Sequence, residues 1–390
     1  EVSADNLRAI VQALQDFQTR YVSTPNCDAA GQFIFNYFQS LGLDVRFQDV
    51  PYRTGAVSKN IVAELPGRVY PRDILVICGH YDSESNQQLT LAPGADDNAS
   101  GTAAAMEAAR ILMRYPLDFT VRFIAFAAEE IGLYGSRVHA QDARKRGENI
   151  IGVINLDMIA FADQMPEDLE IIVNSASEWL ALKFLALSGA YGLVPAKITV
   201  NASIVYSDHA AFWETGYAAL LGIEDNPLKP PNPYYHKTTD TIDTLNFDFF
   251  CDATIASLAD LAELAQPVRT GYPATPTGLD GQSYIYRSLF NALQSIQLTW
   301  PASPGASGYN VYRSDTSHLD YQKLNSSPLS TPSYIDHGLS VDLPFYYVIT
   351  VVGPSGLESN YSREAAVRPR LSGSLPLLLD GFSSYQGGRR

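Results

Sequence analysis

Two imidazoles and a set of carboxylates, several beside glycines, occupy five short segments of this chain: Gly79-His80-Tyr81-Asp82, Gly94-Ala95-Asp96-Asp97-Asn98, Glu129-Glu130, Leu156-Asp157 and Tyr235-His236. One His-x-Asp or one Glu-Glu pair recurs by chance on solvated surfaces. All five together supply the nitrogen and oxygen ligands of a two-zinc hydrolytic centre, with small residues that let the backbone come close to the ions. A carboxylate has two oxygens and can bridge two cations, whereas a neutral imidazole offers one lone pair. Asp97 is therefore the natural bridge. His80 and Asp157 would complete one ion, Glu130 and His236 the other.

The remaining polar neighbours take supporting parts. Adjacent side chains leaving a strand point apart, so Glu129 is left to act as general base, taking a proton from the attacking water and handing it to the leaving amine. Asp82 is expected to hold the ring nitrogen of His80 that does not face metal, and Asp240 to do the same for His236. Tyr235, with Tyr206 as the second choice, is expected to donate to the developing oxyanion. His139, His318 and His337 lack carboxylates at ligand spacing and are expected at the surface.

Loops can bring these groups together only if a rigid frame aims them. Between residues 2 and 267, apolar runs alternate with helical periods, as in a mostly parallel sheet flanked by helices, an α/β fold. Strands are expected at Asp73–Gly79, Val121–Ala127, Ile150–Leu156 and Leu169–Asn174, near-continuously apolar as suits strands covered on both faces. Helices are expected at Ser100–Met113, Leu133–Lys145, Ser177–Tyr191 and Asp248–Ala265. His80, Glu129, Glu130 and Asp157 then fall at or just past carboxyl ends of strands, where open α/β sheets bind ligands.

At 390 residues the chain exceeds what one core usually fills. Expected divisions are 1–268 for the catalytic domain, 269–280 for a Pro-Thr-Gly linker, 281–370 for a small β-sandwich and 371–390 for a tail. In the sandwich, Ile296–Trp300, Gly308–Arg313 and Pro344–Val352 read as short strands between turn signals. A formal charge of -15 repels nucleic acid phosphates and anionic membrane surfaces, so neither is expected as a partner. No apolar stretch approaches the ~20 residues that cross a bilayer. The chain starts at Glu1-Val2-Ser3 without an initiator Met, which reads as a processed start, and secretion is the expectation. Of the three cysteines, Cys78 reads as a buried strand thiol. Cys27 and Cys251 are left as a pair that only distance can decide.

The strings Cys78-Gly79-His80-Tyr81-Asp82-Ser83, Pro93-Gly94-Ala95-Asp96-Asp97-Asn98-Ala99-Ser100-Gly101, Ala127-Ala128-Glu129-Glu130-Ile131-Gly132-Leu133-Tyr134-Gly135-Ser136, Asn155-Leu156-Asp157-Met158 and Tyr235-His236-Lys237-Thr238-Thr239-Asp240-Thr241 resemble the co-catalytic di-zinc aminopeptidases of the bacterial leucyl and Streptomyces type. The blocks occur in order over residues 6–266. The resemblance implies zinc ligands at His80, Asp97, Glu130, Asp157 and His236, two Zn2+ ions, a general base at Glu129 and peptides as substrates cleaved at the amino terminus. It also implies a cis bond between Asp97 and Asn98.

The leucyl-type disulfide near residues 206–209 has no counterpart, which favours Tyr235 over Tyr206 as the oxyanion donor. Ser207-Asp208-His209-Ala210-Ala211-Phe212 is typical of the family and is expected to line the specificity pocket, with Met158 adding an apolar wall. His209 either touches substrate or is a satisfied histidine at a helix start. Three rivals stand beside the aminopeptidase: a one-zinc glutaminyl cyclase, a carboxypeptidase of the same superfamily, and an inactive peptide-binding homologue. The carboxyl-terminal segment resembles a fibronectin type III domain, for which attachment to a surface or another domain is the expected use.

Overall fold

The computed structural model of the chain describes residues 1–53, 55–164, 166–224, 232–287, 292–339 and 343–369. The expected tail, 371–390, lies outside them. The chain separates into two units, Glu1–Val268 and Arg269–Arg390.

The first unit is built on an eight-stranded sheet. Its strands are β1 (Asp44–Arg53), β2 (Ala56–Leu65), β3 (Tyr70–His80), β4 (Phe119–Phe126), β5 (Asn149–Leu156), β6 (Leu169–Val173), β7 (Ala196–Val200) and β8 (Ala219–Ile223). In space they run β1-β2-β4-β3-β5-β8-β6-β7. β4, β3, β5 and β8 are parallel. β2 and β6 pair antiparallel at either side of that block. Helices α1 (Ala4–Gln15), α2 (Pro25–Ser40), α3 (Ala99–Leu112), α4 (Tyr134–Arg146), α5 (Glu178–Tyr191), α6 (His209–Glu214) and α7 (Phe247–Ala265) cover it.

Alternation along the central strands explains why they are apolar throughout. Leu75, Ile77, Val121 and Phe123 join Leu7, Phe38 and Phe250 in one core. Ile74, Val76, Cys78, Ile124 and Phe126 join Ala140, Ala143 and Phe212 in another. Successive side chains of a strand face opposite sides, so each central strand feeds both cores. The sheet is tightest just below the expected metal ligands. A Cβ on Gly101 would fall 2.1 Å from the Leu156 carbonyl oxygen, and one on Gly79 would fall 2.8 Å from the Gly101 carbonyl carbon. Only glycine lets the start of α3 sit directly on the ends of β3 and β5. Asn98 caps α3 by accepting from the Gly101 N–H at 2.8 Å, and its amide donates to the Leu156 carbonyl at 2.9 Å. The bond between Asp97 and Asn98 is cis.

The second unit has two antiparallel sheets. Its strands are β9 (Asp280–Arg287), β10 (Ala292–Thr299), β11 (Gly308–Ser314), β12 (Gln322–Lys323), β13 (Ser333–His337), β14 (Phe345–Val352) and β15 (Ala365–Val367). They are ordered β13-β10-β9 and β12-β11-β14-β15. Ile296, Leu298, Trp300, Tyr309, Val311 and Ile349 form its core.

One open question is decided here and one expectation fails. Cys27 and Cys251, on α2 and α7, are free thiols, so no bridge joins them. His139 is wholly buried rather than at the surface. Its Nδ1–H donates to Gln48 Oε1 at 2.9 Å, and Nε2 lies 3.4 Å from Arg122 Nη1, an arrangement that satisfies a neutral ring. Burial, with Arg122 and two further arginines adding, holds its pKa well below the usual histidine value. The unfolded chain takes up a proton here that the native state refuses, so stability is lost as pH falls below about 6.5. Denaturant titrations of wild type and His139→Gln are expected to diverge below that pH by about 1.4 kcal/mol per unit, with the wild type the more acid-sensitive; parallel curves would contradict a neutral buried imidazole.

Candidate metal centre

His80 is the last residue of β3, and its imidazole is wholly buried. Nδ1 lies 3.1 Å from the Asp82 backbone carbonyl, which fixes the tautomer and aims Nε2 inward. Nε2 is 3.3 Å from Asp97 Oδ1, 3.4 Å from Asp157 Oδ1 and 3.8 Å from Glu129 Oε2. Opposite, His236 Nε2 is 3.1 Å from Asp97 Oδ2 and 3.0 Å from Glu130 Oε2. Asp97 thus turns one oxygen to each imidazole. All five residues expected as ligands converge, with Glu129 beside them.

The free oxygens of the ligand carboxylates are also held. Asp157 Oδ2 accepts from the Ser207 hydroxyl at 2.6 Å, and the Asn155 amide donates to that hydroxyl at 2.8 Å. Glu130 Oε1 accepts from the Glu84 N–H at 2.9 Å. His236 Nδ1 lies 3.1 Å from Glu84 Oε1, and the Tyr235 ring stacks on the imidazole at 3.8 Å.

The Asp82 carboxylate stands 3.7 Å from His80 Nδ1, behind the ring as expected, and also accepts from the backbone N–H groups of Glu129 and Glu130 at 3.2 and 3.4 Å. Other supporting assignments need correction. Asp240 does not face His236; its two oxygens accept from the N–H groups of Asp96 and Asp97 at 2.9 and 3.1 Å. Backbone N–H groups, which must find acceptors when buried, claim both acids. Asp208, His209 and Phe212 are wholly buried and do not line the cleft. His209 Nε2 lies 2.9 Å from the Ile204 carbonyl and the ring packs edge-on against Trp213, a structural place at a helix start and not a contact with substrate. Phe212 belongs to the core beneath the sheet.

The cleft over the centre has a cavity of about 330 Å³, sized for one or two residues, and Met158 and Tyr206 line it as expected. Leu133, Val205 and Ile223 complete its apolar wall and were not singled out in the sequence, nor were Glu84, Ser207 and Arg20. Ser207 lies within a string already marked as typical of the family. Glu84 stands two residues beyond Asp82 with no local signal at all.

Charge dominates the electrostatics. Burial, with Asp97's charge adding, pushes the Glu130 carboxyl up to about 8. Burial raises Glu129 well above the carboxylate range, with His80 opposing and the charges of Glu130 and Asp157 adding. Burial would pull His236 down, but hydrogen bonding to Asp97, Glu130 and Glu84 carries it up to about 12. His80 is likewise raised, against burial, by Glu129 and Asp157. The acids therefore call for positive charge on both sides of Asp97. Apart from the imidazole nitrogens of His236 and His80 at 3.1 and 3.4 Å, the buried acceptors Asp97 Oδ2 and Asp157 Oδ1 receive no hydrogen bond among the described residues. Such orphans call for an ion, and a nitrogen-oxygen donor set suits zinc. The residues present fit the metal.

Residues 60–258, just over half of the chain, match the model of peptidase family M28. The chain belongs to this family of zinc metallopeptidases. This M28 chain is 27% identical over 375 residues to a probable zinc metalloprotease of Pyrenophora teres f. teres, covering 77% of this chain and 75% of the relative. To leucine aminopeptidase 1 of Coccidioides posadasii it is 28% identical over 285 residues, covering 68% and 72%. A zinc aminopeptidase from Bacillus subtilis superposes with a TM-score of 0.60 at 19% identity, over 68% of this chain and 95% of that one, and shares the fold.

One buried cation holds the segments of this M28 site together. Arg20 is wholly buried, and its guanidinium donates to the carbonyls of Tyr81 at 2.7 Å, Pro93 at 2.6 Å, Gly94 at 2.8 Å and Leu14 at 3.2 Å. It pins the segment after His80 to the loop before Asp97. Arg20→Met leaves those carbonyls without donors and nearby acids without a counter-charge, and is expected to cost about 3–5 kcal/mol. Denaturant unfolding of the zinc-stripped chain measures it; a loss under about 1 kcal/mol would remove Arg20 from this role.

Proposed function

We propose that this chain is an aminopeptidase that hydrolyses the first peptide bond of peptides bearing a large apolar amino-terminal residue, with two zinc ions and Glu129 as general base. Asp97 carries most of the support, because its two oxygens face different imidazoles at 3.3 and 3.1 Å, the arrangement a bridging carboxylate needs. Asp97, His80 and Asp157 would hold one ion, and Asp97, Glu130 and His236 the other. When bound, such ions polarise the scissile carbonyl and lower the pKa of a water.

Glu129 belongs to neither donor set yet lines the cleft beside both. It takes a proton from the attacking water and passes it to the nitrogen as the C–N bond breaks. Burial pushes the phenols of Tyr235 and Tyr206 up, so each keeps its O–H at neutral pH and can donate to the oxyanion. Leu133, Met158, Val205 and Ile223 receive the apolar side chain. The acids around them favour the cationic amino terminus.

A carboxypeptidase is less well supported, because the one Arg or Lys lining the cleft among the described residues, Arg137, is already engaged by Glu214 at 3.3 Å and the Gly132 carbonyl at 2.8 Å. A one-zinc glutaminyl cyclase leaves the Glu130–His236 half of the centre unexplained. For the second unit we infer a fibronectin type III-like module, supported by its paired antiparallel sheets and by Trp300 packed edge-on to Tyr309 in the core.

Glu129→Gln is expected to keep two zinc ions per chain by metal analysis and to lower kcat about 10²–10⁴-fold on leucyl-nitroanilide. Amino-acetylated substrate is expected to be inert with wild type. Undiminished turnover by Glu129→Gln would sink the assignment of the base, and equal rates on blocked and free amino termini would sink the aminopeptidase.

A further inference from the structure

The two halves of the centre are held by different means. On the His80 side the ring is buried and Nδ1 meets a backbone carbonyl, that of Asp82, at 3.1 Å. No side-chain replacement removes that acceptor. On the other side, the His236 side chain is 30% exposed and sits on a residue with φ of 53°. Its Nδ1 meets a side chain and not a backbone group among the described residues: the partner is the Glu84 carboxylate at 3.1 Å. The same residue's N–H donates to Glu130 Oε1 at 2.9 Å. Both side chains peculiar to this half, Glu130 and His236, therefore lean on Glu84, through its backbone and its carboxylate respectively.

We propose that Glu84 is the positioning residue of the Glu130–His236 half: its carboxylate holds the His236 ring with Nε2 turned to Asp97 and Glu130, and so sets how tightly that half alone binds zinc. The proposal rests on the two-metal reading above. Glu84 clusters with Glu130 and His236, but its oxygen meets Nδ1 while Asp97 Oδ2 and Glu130 Oε2 meet Nε2, so it stands behind the ring and not on the face turned to the other acids. A carboxylate behind a ligating imidazole fixes its orientation and raises its basicity, and removing one typically lowers metal affinity 10–100-fold. The Glu84 side chain is 28% exposed, so its replacement does not open the core.

The test uses the full chain as wild type, Glu84→Ala and Glu84→Gln. Each is loaded with zinc, equilibrated against graded chelator and assayed for zinc per chain; cobalt-loaded samples are followed by their visible spectra. Wild type is expected to hold two ions. Glu84→Ala should release one of them at a free-zinc level 10–100-fold higher than wild type does, keep the other unchanged, and lose the cobalt absorption of one site. Glu84→Gln should fall between, because its amide oxygen still accepts from Nδ1–H without the charge. Release of both ions together, or of neither, by Glu84→Ala would overturn the proposal, as would Glu84→Gln behaving as badly as Glu84→Ala. A wild type that holds fewer than two ions would show instead that the two-metal reading is wrong, and the proposal would fall with it.

Discussion

Buried carboxylates crowded together repel one another, and the first unit is arranged around that fact. Asp97, Asp157, Glu129 and Glu130 share one site with little water to screen them. Exposed acids could relax by solvation, but these are held by the strand ends and loops that carry them, and Asp157 and Glu130 also by hydrogen bonds to their outer oxygens. Their charge is balanced by protons on the imidazoles or by divalent cations between them. Rigidity keeps the first option from becoming collapse. Were the loops free to spread, the acids would separate and the metal positions would vanish.

Rigidity comes from close contacts that the sequence expresses as small residues and one arginine. Gly79 and Gly101 let the start of α3 touch β3 and β5, so the Asp97 loop is placed against the backbone instead of against side chains that could repack. Arg20 then ties the segment leaving His80 to the segment entering Asp97 through carbonyl groups. A guanidinium suits this task because its donors form a fixed fork and it keeps its charge when buried. The same charge lies in the field of Asp240, Asp82 and Asp97.

The parts of this architecture that were legible in the sequence are those with local physical signatures. β3, β4 and β5 feed two cores, so their apolar runs are unbroken and their ends could be found within a few residues. Three of the side chains proposed as ligands, His80, Glu130 and Asp157, sit at or just past those ends, which made them readable as a set. The β1–β2 hairpin escaped notice because β1 mixes half-buried and exposed positions along its length. Supporting residues were harder for another reason. Asp82 and Asp240 show in the sequence as acids close in number to histidines, but which buried N–H they meet depends on how separate loops dock. Asp208, His209 and Phe212 lie on and beside a six-residue helix whose buried face no local pattern could show.

Glu129 and Glu130 display how adjacent identical side chains acquire different work. Ala128 has a positive φ, and the Glu129 carbonyl accepts from the N–H groups of Gly132 and Leu133, both at 2.8 Å, so the chain turns sharply there. Asp82 accepts from both glutamate N–H groups and fixes the turn from below. The two carboxylates consequently diverge, Glu130 toward His236 and Glu129 toward His80. Glu130 has its second oxygen tied to the Glu84 N–H, which leaves it one oxygen and one direction. No hydrogen bond of that kind restrains Glu129 among those described. Under the roles proposed above, an acid that receives a proton from one atom and delivers it to another needs that remaining freedom, and a ligand does not. Division of labour between the pair thus follows from which oxygens the surrounding backbone has already claimed.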